Sequence, residues 1–223
     1  MSLLPQYTHI INPKLKHIYL SFDNEGNLVI KSPKVTQQKI EQLLLKKSSW
    51  INNAREKIQQ KKGKPLDFSS DLEIYFMGEV YPLTLVRYNK KRAHLDFDGE
   101  AFRLFYHTYD EKLFQKHLDR FYKTEAQKHI IPHVEFWAKK MCLSPADIRF
   151  RKTKRQWGSC SGKNILSFNT MMMKLPHDVI QYIIVHELAH IKHKHHQKAF
   201  WQLVEHYVPD YRAQVTELKN YMT

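Results

Sequence analysis

Pro176-His-Asp-Val-Ile-Gln-Tyr-Ile-Ile-Val-His186-Glu187-Leu-Ala-His190 is the most informative run in this 223-residue chain. Pro176 suits the first turn of a helix, and Asp178 suits its positive end. From Val179 to Ile191 the residues are apolar nearly all round, which predicts a buried helix. His186 and His190, four apart, stack on one face, a spacing at which two imidazoles bind one zinc ion. Glu187 is next in the chain and can reach a metal-bound water without ligating, which makes it the expected general base. A carboxylate in an apolar helix needs a partner, because an isolated buried charge costs several kcal/mol. The competing reading is a pair of core histidines with Glu187 salt-bridged to a lysine.

A hydrolytic zinc site takes three protein ligands and keeps one position open. Downstream candidates are His193, His195, His196, Glu205 and His206. At ~1.5 Å rise per residue, positions 186, 190 and 193 of a straight helix span about 10 Å and cannot converge on one ion. The chain is therefore expected to turn after His190, leaving Lys192, His193 and Lys194 solvated. His196 then has room to return, and Glu205 is the runner-up from a following helix marked by Ala199, Phe200, Leu203 and Val204.

Working outward, the pattern is strands and a helix, then long helices and two short strands, which argues α+β rather than alternating βαβ. A hairpin is expected over residues 15–31, with Ile18, Leu20 and Phe22 alternating, a turn at Asp23–Asn27 and a return through Leu28-Val29-Ile30. Thr36 is the expected N-cap of an amphipathic helix carrying Ile40, Leu43, Leu44, Trp50, Ile51, Ala54 and Ile58, with Trp50 in the core and the end at Lys61–Pro65. Strands follow over 73–106, including a hairpin at Asp98-Gly99. A helix from Asp110 carries Leu113, His117, Leu118, Phe121 and Tyr122 on one side, with a second piece starting at Pro132 and ending near Met141. Residues 147–152 and 164–168 read as strands. The expected division is a β-rich region, 1–106, and a metal-binding catalytic region, 107–223, packed as one unit.

Composition narrows the function classes. The net charge is +14 (36 Lys and Arg against 22 Asp and Glu), which suits a polyanionic partner such as nucleic acid or a nucleotide as well as a solvated lysine surface. The run Arg149, Arg151, Lys152, Lys154 and Arg155 suits a phosphate-bearing ligand or a solvated strand face. No apolar stretch approaches the ~18 residues needed to span a bilayer, the N-terminus lacks a secretory pattern, and the two cysteines make no disulfide framework. The expected address is the cytoplasm, with no membrane partner.

His186-Glu-Leu-Ala-His190, then His196 and Phe200-Trp201, resembles the YgjP-like metallopeptidase family, relatives of the SprT-like zincins. Arg155-Gln-Trp157-Gly158-Ser159-Cys160-Ser161 resembles that family's Trp-Gly-Ser-Cys segment, and Leu175-Pro176 its lead into the metal helix. Ser32-Pro33, Trp50-Ile51 and Met77-Gly78-Glu-Val-Tyr-Pro-Leu extend the likeness over nearly the whole chain. The family's third ligand is usually a histidine between asparagine and serine; here His196 stands between His195 and Gln197. The resemblance implies a zincin-like C-terminal half, with an edge strand beside the metal helix to hold substrate. Asp147–Lys152 or Asn164–Phe168 are the expected suppliers, while Cys160 reads as a small buried residue at a tight Gly158 turn.

The function these features lead to is a zinc-dependent metallopeptidase acting on peptide or unfolded protein. Zn²⁺ is expected on His186, His190 and His196, and a metal-activated water on Glu187 as general base. Arg151, Arg155 and Trp157 are candidate substrate-binding residues, and Tyr207, Tyr211 and Arg155 candidate oxyanion stabilisers. The first rival is a phosphoanhydride hydrolase for nucleotides on the same site. The second is a nucleic-acid-binding protein with a structural zinc, which would have no need of a water-activating Glu187.

Overall fold

The structure, a computed structural model, describes residues 5–23, 26–60, 66–68 and 72–221. The chain forms two compact units, Met1–Lys61 and Lys62–Thr223. The sequence boundary at 106/107 falls inside the second unit. Phe102 and Leu104 before it and Phe114 after it are fully buried in one core, so no division occurs there.

In the first unit, strands β1 (Tyr7–Ile11), β2 (Tyr19–Phe22) and β3 (Leu28–Ser32) form a sheet in the order β1-β3-β2. The expected hairpin is present, with Phe22 opposite Leu28, and β1 adds a parallel strand on the other side of β3. Two residues of its turn, 24 and 25, lie outside the described residues. Thr36 caps the next helix as expected, accepting from the Lys39 amide. The single helix expected there is two, α1 (Gln37–Lys46) and α2 (Ser48–Gln59), because Lys47 leaves helical geometry at φ −104°, ψ 10°. Ile40, Leu44 and Ile51 pack on Leu28 and Ile30. Trp50 is not core: it is 46% exposed and leans on Phe22. The expected helix end at 61–65, like the N-terminal residues 1–4, lies outside the described residues.

The second unit opens with strands β4 (Glu73–Phe76), β5 (Glu79–Arg87), β6 (His94–Phe97) and β7 (Phe102–Tyr106), ordered β4-β5-β7-β6. Met77 and Gly78, both at positive φ, make a two-residue turn between β4 and β5. That turn abuts the metal-helix entrance: a Cβ on Gly78 would stand 2.9 Å from Pro176 Cα. The Asp98-Gly99 connection is longer than the dipeptide suggests. It spans four residues, because the Asp98 carboxylate accepts from the amides of Glu100 and Ala101 and holds a wider loop.

Helix α3 (Glu111–Met141) starts at the Asp110 cap and runs unbroken through Pro132, contrary to the expected restart there. Phe114, Leu118, Tyr122, Ala126, Ile130, Val134, Trp137 and Met141 form a buried stripe that continues past the proline. Burial at about 1.5–3 kcal/mol per large side chain outweighs the ~3 kcal/mol cost of one helical proline. Because Pro132 is exposed, Pro132→Ala restores a backbone donor without opening a cavity. We expect about 1–2 kcal/mol of stabilisation, seen as a Tm several degrees higher in thermal melts.

Strands β8 (Asp147–Arg151), β9 (Gly158–Cys160) and β10 (Ile165–Asn169) form a third sheet, ordered β8-β10-β9. A 3-10 turn (Thr170–Lys174) leads into α4 (His177–Lys192), which is buried at Val179, Ile180 and Tyr182 to Val185, then at Glu187 to Ala189. Helices α5 (Lys198–Tyr207) and α6 (Tyr211–Leu218) follow and pack on α4. The architecture is α+β, and no described helix is long and apolar enough to cross a membrane.

Candidate metal centre

Helix α4 presents His186 and His190 one turn apart near its C-terminal end. It stops at Lys192, and His193 takes an extended backbone (φ −125°, ψ 101°), so the chain turns where the spacing required. The turn brings His196 back. Its Nε2 lies 3.1 Å from Nε2 of His186 and 3.1 Å from Nε2 of His190. Among the described residues these three form the group of His, Cys, Asp and Glu able to share an ion, with donor atoms within 4.8 Å of one another. His195 and His206 are outside it, and Glu205 is drawn to Arg212 at 3.5 Å. His193 is half-buried rather than solvated, and Lys194 is engaged by the Asn164 side-chain oxygen at 2.6 Å.

Each ring is held from behind. His190 Nδ1 lies 3.0 Å from the His193 carbonyl, which can only accept. The proton therefore sits on Nδ1, and the lone pair of Nε2 faces the cluster. The Tyr182 hydroxyl stands 3.2 Å from His186 Nδ1 and can fix that ring in the same sense. Trp201 donates its indole N–H to the His196 carbonyl at 3.1 Å and stacks on the His196 ring, with centroids 5.5 Å apart. Phe200, fully buried, lies beneath all three imidazoles at 4.5–4.9 Å. Burial and the neighbouring rings push His186 down to about 3, so it is neutral in ordinary buffers. Three imidazole Nε2 atoms within 4.8 Å of one another form a set that suits a borderline transition-metal ion.

Glu187 points elsewhere. It is only 6% exposed, and burial raises its carboxyl to about 8. No hydrogen bond or ion pair of its carboxylate occurs among the described residues. Its neighbour is β9: a Cβ on Gly158 would lie 2.7 Å from both Cγ and Oε1 of Glu187. Gly158 is thus a strand residue whose missing side chain makes room for Glu187, not the apex of a tight turn. Gly158→Ala should push the carboxylate aside by up to about 1 Å, a displacement that can cost 10²-fold in rate. Steady-state assays should show that loss with metal content unchanged.

The edge strand beside α4 is β9, where Asp147–Lys152 or Asn164–Phe168 was expected. β8 is the far edge, and β10 is central, paired on both sides. Trp157 and Ser161 bond to β10 through the Asn169 amide to the Trp157 carbonyl (2.8 Å) and the Ser161 amide to the Ile165 carbonyl (3.0 Å). By antiparallel alternation, the N–H and C=O of Gly158 and Cys160 face the free edge. Three residues with no apolar alternation give no strand signal in the sequence. Cys160 is half-buried, and desolvation raises its thiol above the ordinary range, so it is not a nucleophile in waiting.

The other candidate residues are dispersed. Arg151 bonds Ser159 Oγ at 3.2 Å on the sheet's outer face, while Arg155 is exposed in the connection to β9. Trp157 packs against the core. Tyr207 is turned to the Lys140 carbonyl, and Tyr211 stacks on Trp201. Tyr182 is the supporting residue that sequence reasoning missed, although it sits four residues before His186, on its face; Phe200 was expected in the core of the following helix, and it is there.

A buried helix, a short strand along it and a histidine cluster at its end are the parts of a metallopeptidase domain, and that is the class of this chain. The chain belongs to the YgjP-like family, whose metallopeptidase domain matches residues 16–221. It is also similar to the UTP pyrophosphatase of Escherichia coli (strain K12), 35% identical over 68 residues. That stretch is 30% of this chain and 41% of the relative, so the chain spans less than half of the relative's length. Among solved structures it is similar to the metallopeptidase zymogen of Pyrococcus abyssi abylysin. The likeness covers 42% of this chain and 99% of that one, at 22% identity and a TM-score of 0.36.

Proposed function

We propose that this protein is a zinc-dependent metallopeptidase, with His186, His190 and His196 as metal ligands and Glu187 as general base. The observation that carries the reading is the convergence of three Nε2 atoms, with the His190 proton fixed on the opposite nitrogen. An all-imidazole set matches three-ligand catalytic zinc, which when bound supplies a Lewis acid and lowers the pKa of water. Glu187 stands outside the three-histidine group and lies against Gly158 of β9. Its carboxylate takes the proton of the attacking water and returns it to the leaving amine. The free N–H and C=O groups of Gly158 and Cys160 hold an extended peptide by adding it as a strand. A folded loop cannot pair in that way, so unfolded segments are the preferred substrates.

A second reading has its own support. A cavity of about 430 Å³ on the outer face of the third sheet is lined by Arg149, Arg151, Ser159, Ser161 and Ser167. Such a set suits a bound phosphate, although strand alternation puts it on the sheet face opposite Glu187; the E. coli relative is a UTP pyrophosphatase. Unfolded protein and UTP assayed side by side separate the two. The expected result is cleavage of the unfolded chain, lost in Glu187→Gln. Turnover of UTP alone, lost when Arg151 and Arg155 are both changed to Ala, would establish phosphoanhydride chemistry instead.

A further inference from the structure

Remote in sequence from the histidine cluster, a cleft of the second unit lies between the β6 strand with its preceding loop and the first turns of α3. Its volume is about 730 Å³. The rim carries the cations Lys91 and Arg92 on the loop and Arg120 on α3, beside the imidazoles of His94 and His117 and the carboxylate of Glu125. The floor is apolar, made by Leu95, Leu113 and Phe121. Lys91, Arg92 and Arg120 make no salt bridge among the described residues. Of the acidic groups, Glu125 is paired with Lys128 and His129 at 3.6 and 3.1 Å, and Asp96 lies 3.5 Å from His94 at the rim.

Like charges gathered around one cavity repel one another, and a fold has no reason of stability to collect them. The strain is visible at His117, whose pKa is lowered by burial first and then by the charges of Arg120 and His94. An anion in the cleft would relieve it. The aromatic groups at the rim indicate more than a bare anion. His94 stacks flat on Phe105, with centroids 4.6 Å apart and planes at 7°, and Tyr88 steadies it through a 3.1 Å contact to Nδ1. Cations at the rim with flat rings and an apolar floor suit a ligand that alternates phosphates with aromatic bases.

We infer that this cleft is a binding site for single-stranded nucleic acid, held by its phosphates on Lys91, Arg92 and Arg120 and by its bases on the His94 side of the floor. A duplex keeps its bases stacked inside and would use only the charges. A free nucleotide would leave most of the rim unmatched. The site is independent of the peptidase reading, since none of its residues touches the histidine cluster.

The test is fluorescence anisotropy of a labelled oligothymidylate of about twelve nucleotides with the full-length chain. Three permanent charges predict a log–log salt slope of about −2, hence a roughly tenfold weakening from about 50 to about 150 mM salt. Changing Arg92 and Arg120 both to Glu should weaken binding at least about tenfold and bring the slope to about −0.7 or flatter. Thermal melts check that this variant is folded. Lys14→Glu with Lys16→Glu, which changes net charge equally in the first unit, should leave binding within about twofold. Equal loss in both variants would show charge attraction without a site and overturn the inference. So would equal affinity for a duplex of the same length, or displacement of the oligonucleotide by UTP at matched phosphate concentration.

Discussion

Glu187→Gln is expected to lower kcat on an unfolded protein substrate by about 10²–10⁴-fold while the chain keeps its metal. That range is what a positioned proton-transfer group contributes. The amide is nearly isosteric with the carboxylate, so the close fit against Gly158 survives. It cannot accept a proton from water, which removes the one function assigned to it. The histidine cluster is untouched, since its ring orientations depend on the His193 carbonyl, Tyr182 and Trp201 rather than on Glu187. Parallel kinetics and metal analysis check both halves. Loss of metal in this variant would make Glu187 a ligand and refute the division of labour.

The second large effect concerns the loop after α4. His196→Ala should weaken metal binding by more than about 100-fold, beyond the 10–100-fold typical of losing an orienting partner. His195→Ala should have little effect, because that ring lies outside the cluster. His193→Ala should also be mild, because His193 contributes its backbone carbonyl and the substitution leaves that in place. Competition titration against a chromophoric chelator measures all three. Equal weakening in the three variants, or loss only in Glu205→Ala, would contradict the ligand assignment.

These predictions rest on residues of unequal legibility. The apolar run around His186 and His190 announced a buried helix because burial on all sides leaves a compositional mark. Thr36 and Asp110 announced helix starts because side-chain capping is local. The turn after His190 followed from helix rise and the α5 helix from its apolar spacing, while His196 as the returning residue rested also on the family resemblance, with Glu205 as runner-up. What stayed hidden depends on contacts distant in sequence. Strand β9 is three residues long, and its register exists only through β10. The parallel pairings of β1 with β3 and β5 with β7 leave no local trace. Pro132 misled because a local cost was outweighed by packing along α3. Gly158 misled because a glycine needed for close approach by Glu187 reads, in sequence, like a glycine needed for a turn.

On the proposed function, the three imidazoles at the end of α4 form one tight transition-metal site. Elemental analysis of the purified full-length protein, stripped with chelator and reconstituted with zinc, tests it most directly. One tightly held zinc per chain after desalting is the expected result. A chain that retains no zinc or other transition metal after reconstitution would contradict it.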